Sequence, residues 1–447
     1  MSNDRLPPQT KFIVGNEACE RLSFYAMRAL LTPFLANELF RAMPEAKGKA
    51  EAVYHFFIAA IYFLALGGAF LADRMWGRYR TILLLSFGYC AGHGLLALSE
   101  SAGTQSLRTW IFFAGLACIA IGGGGIKPCV SAFAGDQFGP ERAHQIPKIY
   151  SLFYWSINFG SFFGIALIPL VREHWGYSWA FGIPGLFMAL ATFIFWLGRN
   201  SYVKKPPMRH EPPAEPAVRA ADMRTLGSIA SVFLPILVFW ALFDQTGSTW
   251  EQQGEEMSPY SIRFFGRWSY EINAVSIQSL NPLLVMMLIP ICTKVLYPLL
   301  ARCGFAPTPL RRMGVGMVFA AASFVIAGWL QHRISSGEKL SILWQFAPYV
   351  VITTGEVLLS VTGLEFAFSQ APARLKSTIM SLWLLMVFLG NLLAGVIAQF
   401  NASVIHATGA MKMLFYAALM FVVAGIYAVI ARKFPERTAQ PTTAPAP

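Results

Sequence analysis

The sequence predicts an all-α membrane protein of twelve transmembrane helices in two six-helix bundles, with both chain ends on the cytoplasmic side. Three observations carry this expectation. The 447-residue chain is 55% hydrophobic and only 13% charged, with a mean hydropathy of +0.51, outside the range of soluble globular domains. Apolar windows of about 20 residues, the length that crosses a bilayer as helix, recur twelve times. One stretch rich in proline and charge divides them six and six.

The windows fall at 12–39, 51–72, 79–98, 109–133, 149–171 and 177–198, then at 225–248, 273–301, 312–331, 342–370, 377–400 and 410–431. NSYVKKPPMRHEPPAEPAVRAADMR separates the sets and reads as a solvated linker. The expected organisation is therefore a cytoplasmic N-terminus (1–11), a first bundle (12–199), a cytoplasmic linker (200–224), a second bundle (225–432) and a proline-rich, disordered tail (433–447). With both ends inside, and with Arg80, Arg312 and Lys412 at window edges counted with the adjoining loops, the interior loops and tails hold 21 Lys and Arg residues and the exterior loops 10, the asymmetry expected of cytoplasmic loops. The net charge of +12 is thus a topology signal and not a nucleic-acid footprint, since no basic stripe runs along any helix. Six cysteines without a CxxC pair indicate neither a disulfide framework nor a metal site. The polar start MSNDRLPPQTK lacks the apolar core of a signal peptide, so insertion is expected to be driven by the first helix.

The first span carries its own problem. Each charge at the centre of a bilayer costs about 2.5–3.5 kcal/mol on insertion scales, and GNEACERLSFYAMRALL contains Glu17, Glu20, Arg21 and Arg28. Together with Phe24 and Tyr25, these positions follow helical offsets of 0, 3, 4, 7, 8 and 11 from Glu17 and form one stripe. Such a stripe suits a water-filled cavity; the alternative is an ion-pair set that only locks helix 1 to a neighbour. In span 4, IGGGGIKPCV permits close backbone approach and places Lys127 before Pro128. It lacks the Gly-Lys-Ser/Thr ending and preceding strand of a phosphate loop, and Lys127 either faces the interior or snorkels to the surface. Tyr154 and Asn158 in span 5 share a helix face, as pocket residues or as polar glue between helices.

In span 7, Asp244 follows Trp240 by one turn, and an acid at that depth is functional by default. Asn281 precedes Pro282 in span 8, which marks a kink or a site. Span 10 contributes Glu356 and Glu365, nine residues apart and hence on opposite faces of an uninterrupted helix, so only one of them is expected to face a central cavity. Trp383 in span 11 is an anchor or a wall residue.

Two six-helix halves with a cytoplasmic linker resemble the plan of the major facilitator superfamily, in which substrate binds between the halves. GGAFLADRMWGRYR is similar to that superfamily's loop motif at Asp73, Arg74, Gly77 and Arg78. Within it, the chain resembles the proton-dependent oligopeptide transporters. Glu17, Glu20, Arg21 and Tyr25 match the signature ExxERFxYY, while Leu22 and Phe24 replace its Phe and first Tyr. GGGGIKPCVSAFAGDQF and FYWSINFGS resemble two further signatures; FWALFDQTGS, VLYPLLARCGF and TGLEFAFSQAP look like animal members.

The resemblance implies proton coupling by Glu17, Glu20 and Arg21, with His55 and Asp244 as further protonation sites. It implies that Arg28 and Lys127 face the carboxylate end of a peptide, and Glu365 its amino end. Arg21, Tyr25, Tyr62, Tyr154, Asn158, Trp240, Asn281 and Trp383 would complete the pocket, and the pairs Arg28–Asp244 and Lys127–Glu365 would act as gates. Expected partners are di- and tripeptides, protons and the lipid bilayer, with no nucleic acid and no cofactor beyond the proton gradient. The expected form is a monomer in the cytoplasmic (inner) membrane of a bacterium. The chain departs from many members in having no extra helices in its linker and only QHRISSGEKLS before span 10. Phe24 removes a phenol from the pocket. Transport of another anion such as nitrate, or a non-transporting nutrient sensor, are the competing readings. No HExxH, GxSxG or paired His/Cys set favours an enzyme.

Overall fold

Helix occurs in every one of the twelve apolar windows. The computed structural model describes residues 6–207, 216–264, 268–304, 307–363, Phe366, Gln370, 376–401 and 409–434. Helix α1 (Thr10–Phe34) passes into a π turn at Leu35–Leu39. Helix α2 (Ala46–Leu71) does the same at Ala72–Trp76, and α3 (Arg78–Ser99) and α4 (Gln105–Asp136) follow. Thr104 caps α4, its hydroxyl accepting from the Leu107 amide at 3.3 Å. The helical stretch Ile146–Leu197 is two helices, because Gly176 (φ 77°, ψ −178°) takes a backbone conformation open to glycine alone. It divides into α5 (146–175) and α6 (177–197).

The second half begins with α7 (Pro216–Phe233), α8 (Ile236–Phe243), a 3₁₀ turn at Asp244–Gly247 and α9 (Thr249–Glu255). The axis bends by 41° between Asp222–Phe233 and Ile236–Glu255, where Pro235 has no amide to continue the ladder. After it come α10 (Leu280–Ile291), a π turn at Cys292–Leu296, α11 (Tyr297–Arg302) and α12 (Pro309–Ser335). Helix α13 (Phe346–Glu356) runs into a π turn at Val357–Val361, and α14 (Lys376–Phe400) and α15 (Gly409–Lys433) close the order. Among the described residues, nine helices are long and apolar enough to cross a membrane and the bent pair makes a tenth. One of the nine, Lys148–Asn200, contains the break at Gly176. Helix α1 stands outside that count because of its charges.

Two features differ from the sequence reading. Tyr260–Phe264 and Trp268–Ile272 form a two-stranded antiparallel hairpin, β1 and β2, with Tyr260 opposite Ile272. The alternation of aromatic and β-branched residues with polar ones favours strands once the chain has left the apolar span. Helix α7 also begins at Pro216, inside the segment read as linker, since proline fits the first helical turn and PAVRAADMR is otherwise rich in helix formers.

Buried apolar side chains form two large clusters, one drawn from 13–202 together with Val275 and the other from 229–427. Small residues set the spacing within them. A Cβ at Gly160 would lie 2.3 Å from the Ala18 carbonyl oxygen, and one at Gly164 2.5 Å from that of Leu22. The two glycines seat α5 directly on the turn of α1 that carries Glu17, Glu20 and Arg21. The glycine run of α4 does the same for α2: a Cβ at Gly124 would lie 2.6 Å from the Ile61 carbonyl oxygen. Arg78 Nη1, at the start of α3, donates to Asp136 Oδ2 at 2.5 Å, and Lys205 Nζ, in the segment after α6, lies 2.8 Å from Asp136 Oδ1, so both are tied to the end of α4.

Gly164→Val should force α5 from α1 and cost about 1–3 kcal/mol, the range for overpacking. A lowered thermal midpoint of the detergent-solubilised protein checks this; an unchanged midpoint would mean that the contact is not close-packed.

Candidate functional site

The stripe on α1 is buried from Glu17 to Phe24 and half-buried at Tyr25 and Arg28, where it meets the cavity. Glu17 and Glu20 are 1% and 2% exposed, so their charge must be met from within. Arg21 meets both: its Nε donates to Glu17 Oε1 at 2.7 Å and lies 2.9 Å from Glu20 Oε2. One turn further, Lys127 Nζ sits 4.2 Å from the ring centroid of Phe24 and 5.9 Å from that of Tyr62. Lys127 therefore faces the interior of the first bundle, over an aromatic surface that attracts a cation.

Arg28 ends the stripe and reaches the second bundle. Its Nε donates to the Tyr54 hydroxyl at 2.6 Å, and its Nη2 donates to Asp244 Oδ1. The other carboxylate oxygen of Asp244 accepts from Asn391 Nδ2 at 2.7 Å. Asn391 Oδ1 lies 3.1 Å from His55 Nδ1, and His55 Nε2 lies 3.0 Å from Ser248 Oγ. Ser248 Oγ donates to Gln245 Oε1 at 3.2 Å, and the Thr249 hydroxyl lies between two acceptors, Gln245 Oε1 and Glu51 Oε1, the latter at 2.8 Å. Glu51 Oε2 pairs with Lys412. The result is a continuous polar seam from Tyr54 to Lys412, alternating between α1 or α2 and α8, α9, α14 or α15.

The seam runs toward the end that the charge distribution assigns to the exterior. There the bundles are joined further by Thr32 Oγ1 donating to the Gly247 carbonyl at 2.6 Å, Asn37 to Glu255 at 2.6 Å, and Gln252 to the Lys47 carbonyl at 2.9 Å. Lys47 pairs with Glu256 at 3.3 Å, and the Tyr270 hydroxyl donates to the Ala166 carbonyl at 2.8 Å.

At the inner end of the seam lies a cavity of about 230 Å³ lined by both bundles. It brings together Tyr25, Arg28, Tyr62, Tyr154, Asn158, Trp240, Asp244, Asn281 and Trp383. Asn158 Nδ2 is spent on the Tyr154 carbonyl at 2.9 Å, whereas the indole N–H of Trp240 is buried without a hydrogen-bond partner among the described residues. Arg21 and Lys127 lie below this cavity on α1 and α4, outside its lining.

Of the two acids in span 10, Glu356 lines the cavity and accepts from Asn281 Nδ2 at 2.7 Å. Glu365, and with it the pair Lys127–Glu365, lies outside the described residues. The helix after Glu356 contains a π turn at Val357–Val361, a feature that shifts the register of the residues following it.

Asn391, Tyr54, Ser248, Glu51, Lys412 and Glu356 are the members that sequence reasoning did not assign. A lone Asn in FLGNLLAG and a Glu one turn before His55 are polar residues in apolar spans, which marks them as candidates. Nothing in the pattern says that they meet.

Comparison with known proteins agrees with this geometry. The sequence model described as the POT family matches residues 79–219 and 214–414. A Drosophila melanogaster protein, peptide transporter family 1, is 34% identical over 367 residues, which is 73% of this chain and 48% of that protein. Human solute carrier family 15 member 1 is 35% identical over 376 residues, 72% of this chain and 52% of that one. The chain thus spans about half the length of these relatives. Among solved structures, an auto-inhibited POT family peptide transporter superposes with a TM-score of 0.88 at 36% identity, covering 98% of this chain and 99% of that one. The POT family transporter PepTSo gives 0.86 at 35% identity, covering 96% and 99%.

Breaking a buried ion pair on one side costs about 3–5 kcal/mol. Arg28→Gln and Asp244→Asn should each destabilise the purified protein by that order, and the double substitution by clearly less than their sum. A double-mutant cycle on thermal or denaturant unfolding measures this coupling; strict additivity would mean that the pair does not act as one.

Proposed function

The chain belongs to the POT family of membrane peptide transporters, and on that premise we propose that it imports di- and tripeptides together with protons by alternating access. Substrate binds in the cavity between the two bundles, near the middle of the membrane. The observation that carries this reading is the buried Arg28–Asp244 pair across that cavity. A peptide is a zwitterion whose ends are separated by about 3.5 Å per residue. Its carboxylate is a substitute partner for Arg28, and its ammonium group one for Asp244 and Glu356. Tyr25, Tyr62, Tyr154, Trp240 and Trp383 supply aromatic walls that accept varied side chains, with Asn158 and Asn281 as polar contacts.

Arg28 and Asp244 hold each other only while Asp244 is ionised and no peptide carboxylate is present. A proton on Asp244 and a carboxylate on Arg28 therefore release the same contact. His55 reaches Asp244 through Asn391 and serves as the second proton acceptor of that side. Deeper in the bundle, protonation of Glu17 or Glu20 frees Arg21 and alters the field at Lys127. In this reading Glu365 meets the amino end of longer substrates and pairs with Lys127 when the site is empty. Each proton contributes about 1.4 kcal/mol per pH unit and about 2.3 kcal/mol per 100 mV, so no cofactor is required.

The moving parts are the bundles 12–199 and 225–432, each with its own core, joined by the cytoplasmic segment 200–224. The monomer is the transporting unit, in a bacterial cytoplasmic membrane.

Uptake of labelled dialanine into proteoliposomes under an imposed pH gradient tests the function; its absence, with nitrate uptake in its place, would overturn it. Glu20→Gln and Arg21→Gln should lower gradient-driven uptake by at least tenfold while leaving counterflow exchange measurable. Full gradient-driven uptake by either variant would remove these residues from the coupling.

A further inference from the structure

Glu251 is used by none of the contacts described so far. It lies on α9, is 1% exposed, and neither carboxylate oxygen has a hydrogen-bond partner among the described residues. A carboxylate buried in this way is strongly disfavoured unless a cation or a proton neutralises it. Glu251 lines a second cavity of about 430 Å³, within the range of small-molecule sites. Arg172, Asn37, Glu255, Glu271 and Asn273 line the same cavity.

The cavity opens between the bundles, and its charges are divided as they are at the central site. Arg172, at the end of α5, is the cation of the first bundle, its guanidinium 5.9 Å from the ring centroid of Tyr177. The acids come from the second bundle. Asn37 turns its amide to Glu255 at 2.6 Å, so it does not serve Glu251. Among the described residues no group of three His, Cys, Asp or Glu side chains is placed to hold a metal ion, which leaves an organic cation as the fitting partner.

The second cavity also lies on the path to the first. Ile165 of α5 lines the central cavity and Arg172 the outer one; seven residues of helix separate them, about 10 Å. Ala29 on α1 and Asn37 in the π turn that follows it are eight residues apart, and Asp244 and Glu251 on the α8–α9 span are seven apart.

We propose that this cavity is an exterior recruitment site for zwitterionic substrate, with Glu251 taking the ammonium group and Arg172 the carboxylate before the central site becomes accessible. The proposal rests on the peptide-import reading, and its test separates the two. In right-side-out vesicles from expressing cells, Glu251→Gln is expected to raise the KM of gradient-driven dialanine uptake about tenfold, the loss of one ionic contact. Vmax should stay within about twofold, and the KM of efflux from preloaded vesicles should be unchanged, because efflux loads from the other side. Arg172→Gln should act in the same direction, and Glu251→Asp should restore part of the affinity. An unchanged uptake KM, or equal changes in uptake and efflux, would overturn the site while leaving the import reading intact. If Glu251→Gln fails to accumulate, Arg172→Gln carries the same comparison. Absence of uptake by the unsubstituted protein would instead overturn the import reading, and with it the ligand class assigned here.

Discussion

The structure depends on how a charge is kept inside a membrane protein. Arg28 is half-buried between the bundles and satisfied by Tyr54 from its own bundle and Asp244 from the other. That is one stabilising contact and one conformational constraint in the same pair. While it persists, the bundles are held together at mid-depth, and the links at Thr32–Gly247 and Asn37–Glu255 follow from that proximity. Once either charge is neutralised, the remaining one needs a new partner. A proton and a substrate carboxylate then act on one equilibrium, and linkage requires each to alter the affinity for the other. In the proposed mechanism coupling would need no long-range pathway, because both ligands would meet at the same two side chains.

The remaining charges of α1 are handled within the first bundle. Arg21 lies between Glu17 and Glu20, with α5 brought close by Gly160 and Gly164. Lys127 is stabilised differently, over the face of Phe24. Phe24 lacks the phenol that the signature places at this position. Its ring still offers a π face to the lysine, and without a hydroxyl it leaves the ammonium group's hydrogens available to a carboxylate. The departure from the signature keeps the electrostatic role and removes a competing acceptor.

What the sequence made legible has a physical basis. The stripe on α1 follows from helical offsets that no tertiary context alters, and the spans follow from bilayer thickness. The side chains around the central cavity were reachable because polar and aromatic residues in apolar spans have few other uses. What was not legible depends on distances between bundles. Asn391 joins His55 to Asp244, yet nothing near residue 391 points to residue 55 or 244. The π turn after Glu356 moves the helix register, and a period of 3.6 has no means of anticipating it. The hairpin at 260–272 was missed because attention to hydropathy leaves short exterior loops unread.

The two cavities impose an order on substrate movement. They lie about 10 Å apart along shared helices, and in the proposed reading Glu251 and Asp244 both receive the peptide's one ammonium group. That group cannot hold both acids across such a distance. Transfer inward therefore requires the contacts between the cavities, Thr32 with Gly247 and His55 with Ser248, to open while the peptide is free of at least one anchor. His55–Ser248 is part of the seam that passes through Asp244 and Asn391, and Thr32–Gly247 lies beside it. In the proposed mechanism, neutralising Asp244 would therefore loosen the contacts between the cavities and free Arg28 for the substrate in the same step.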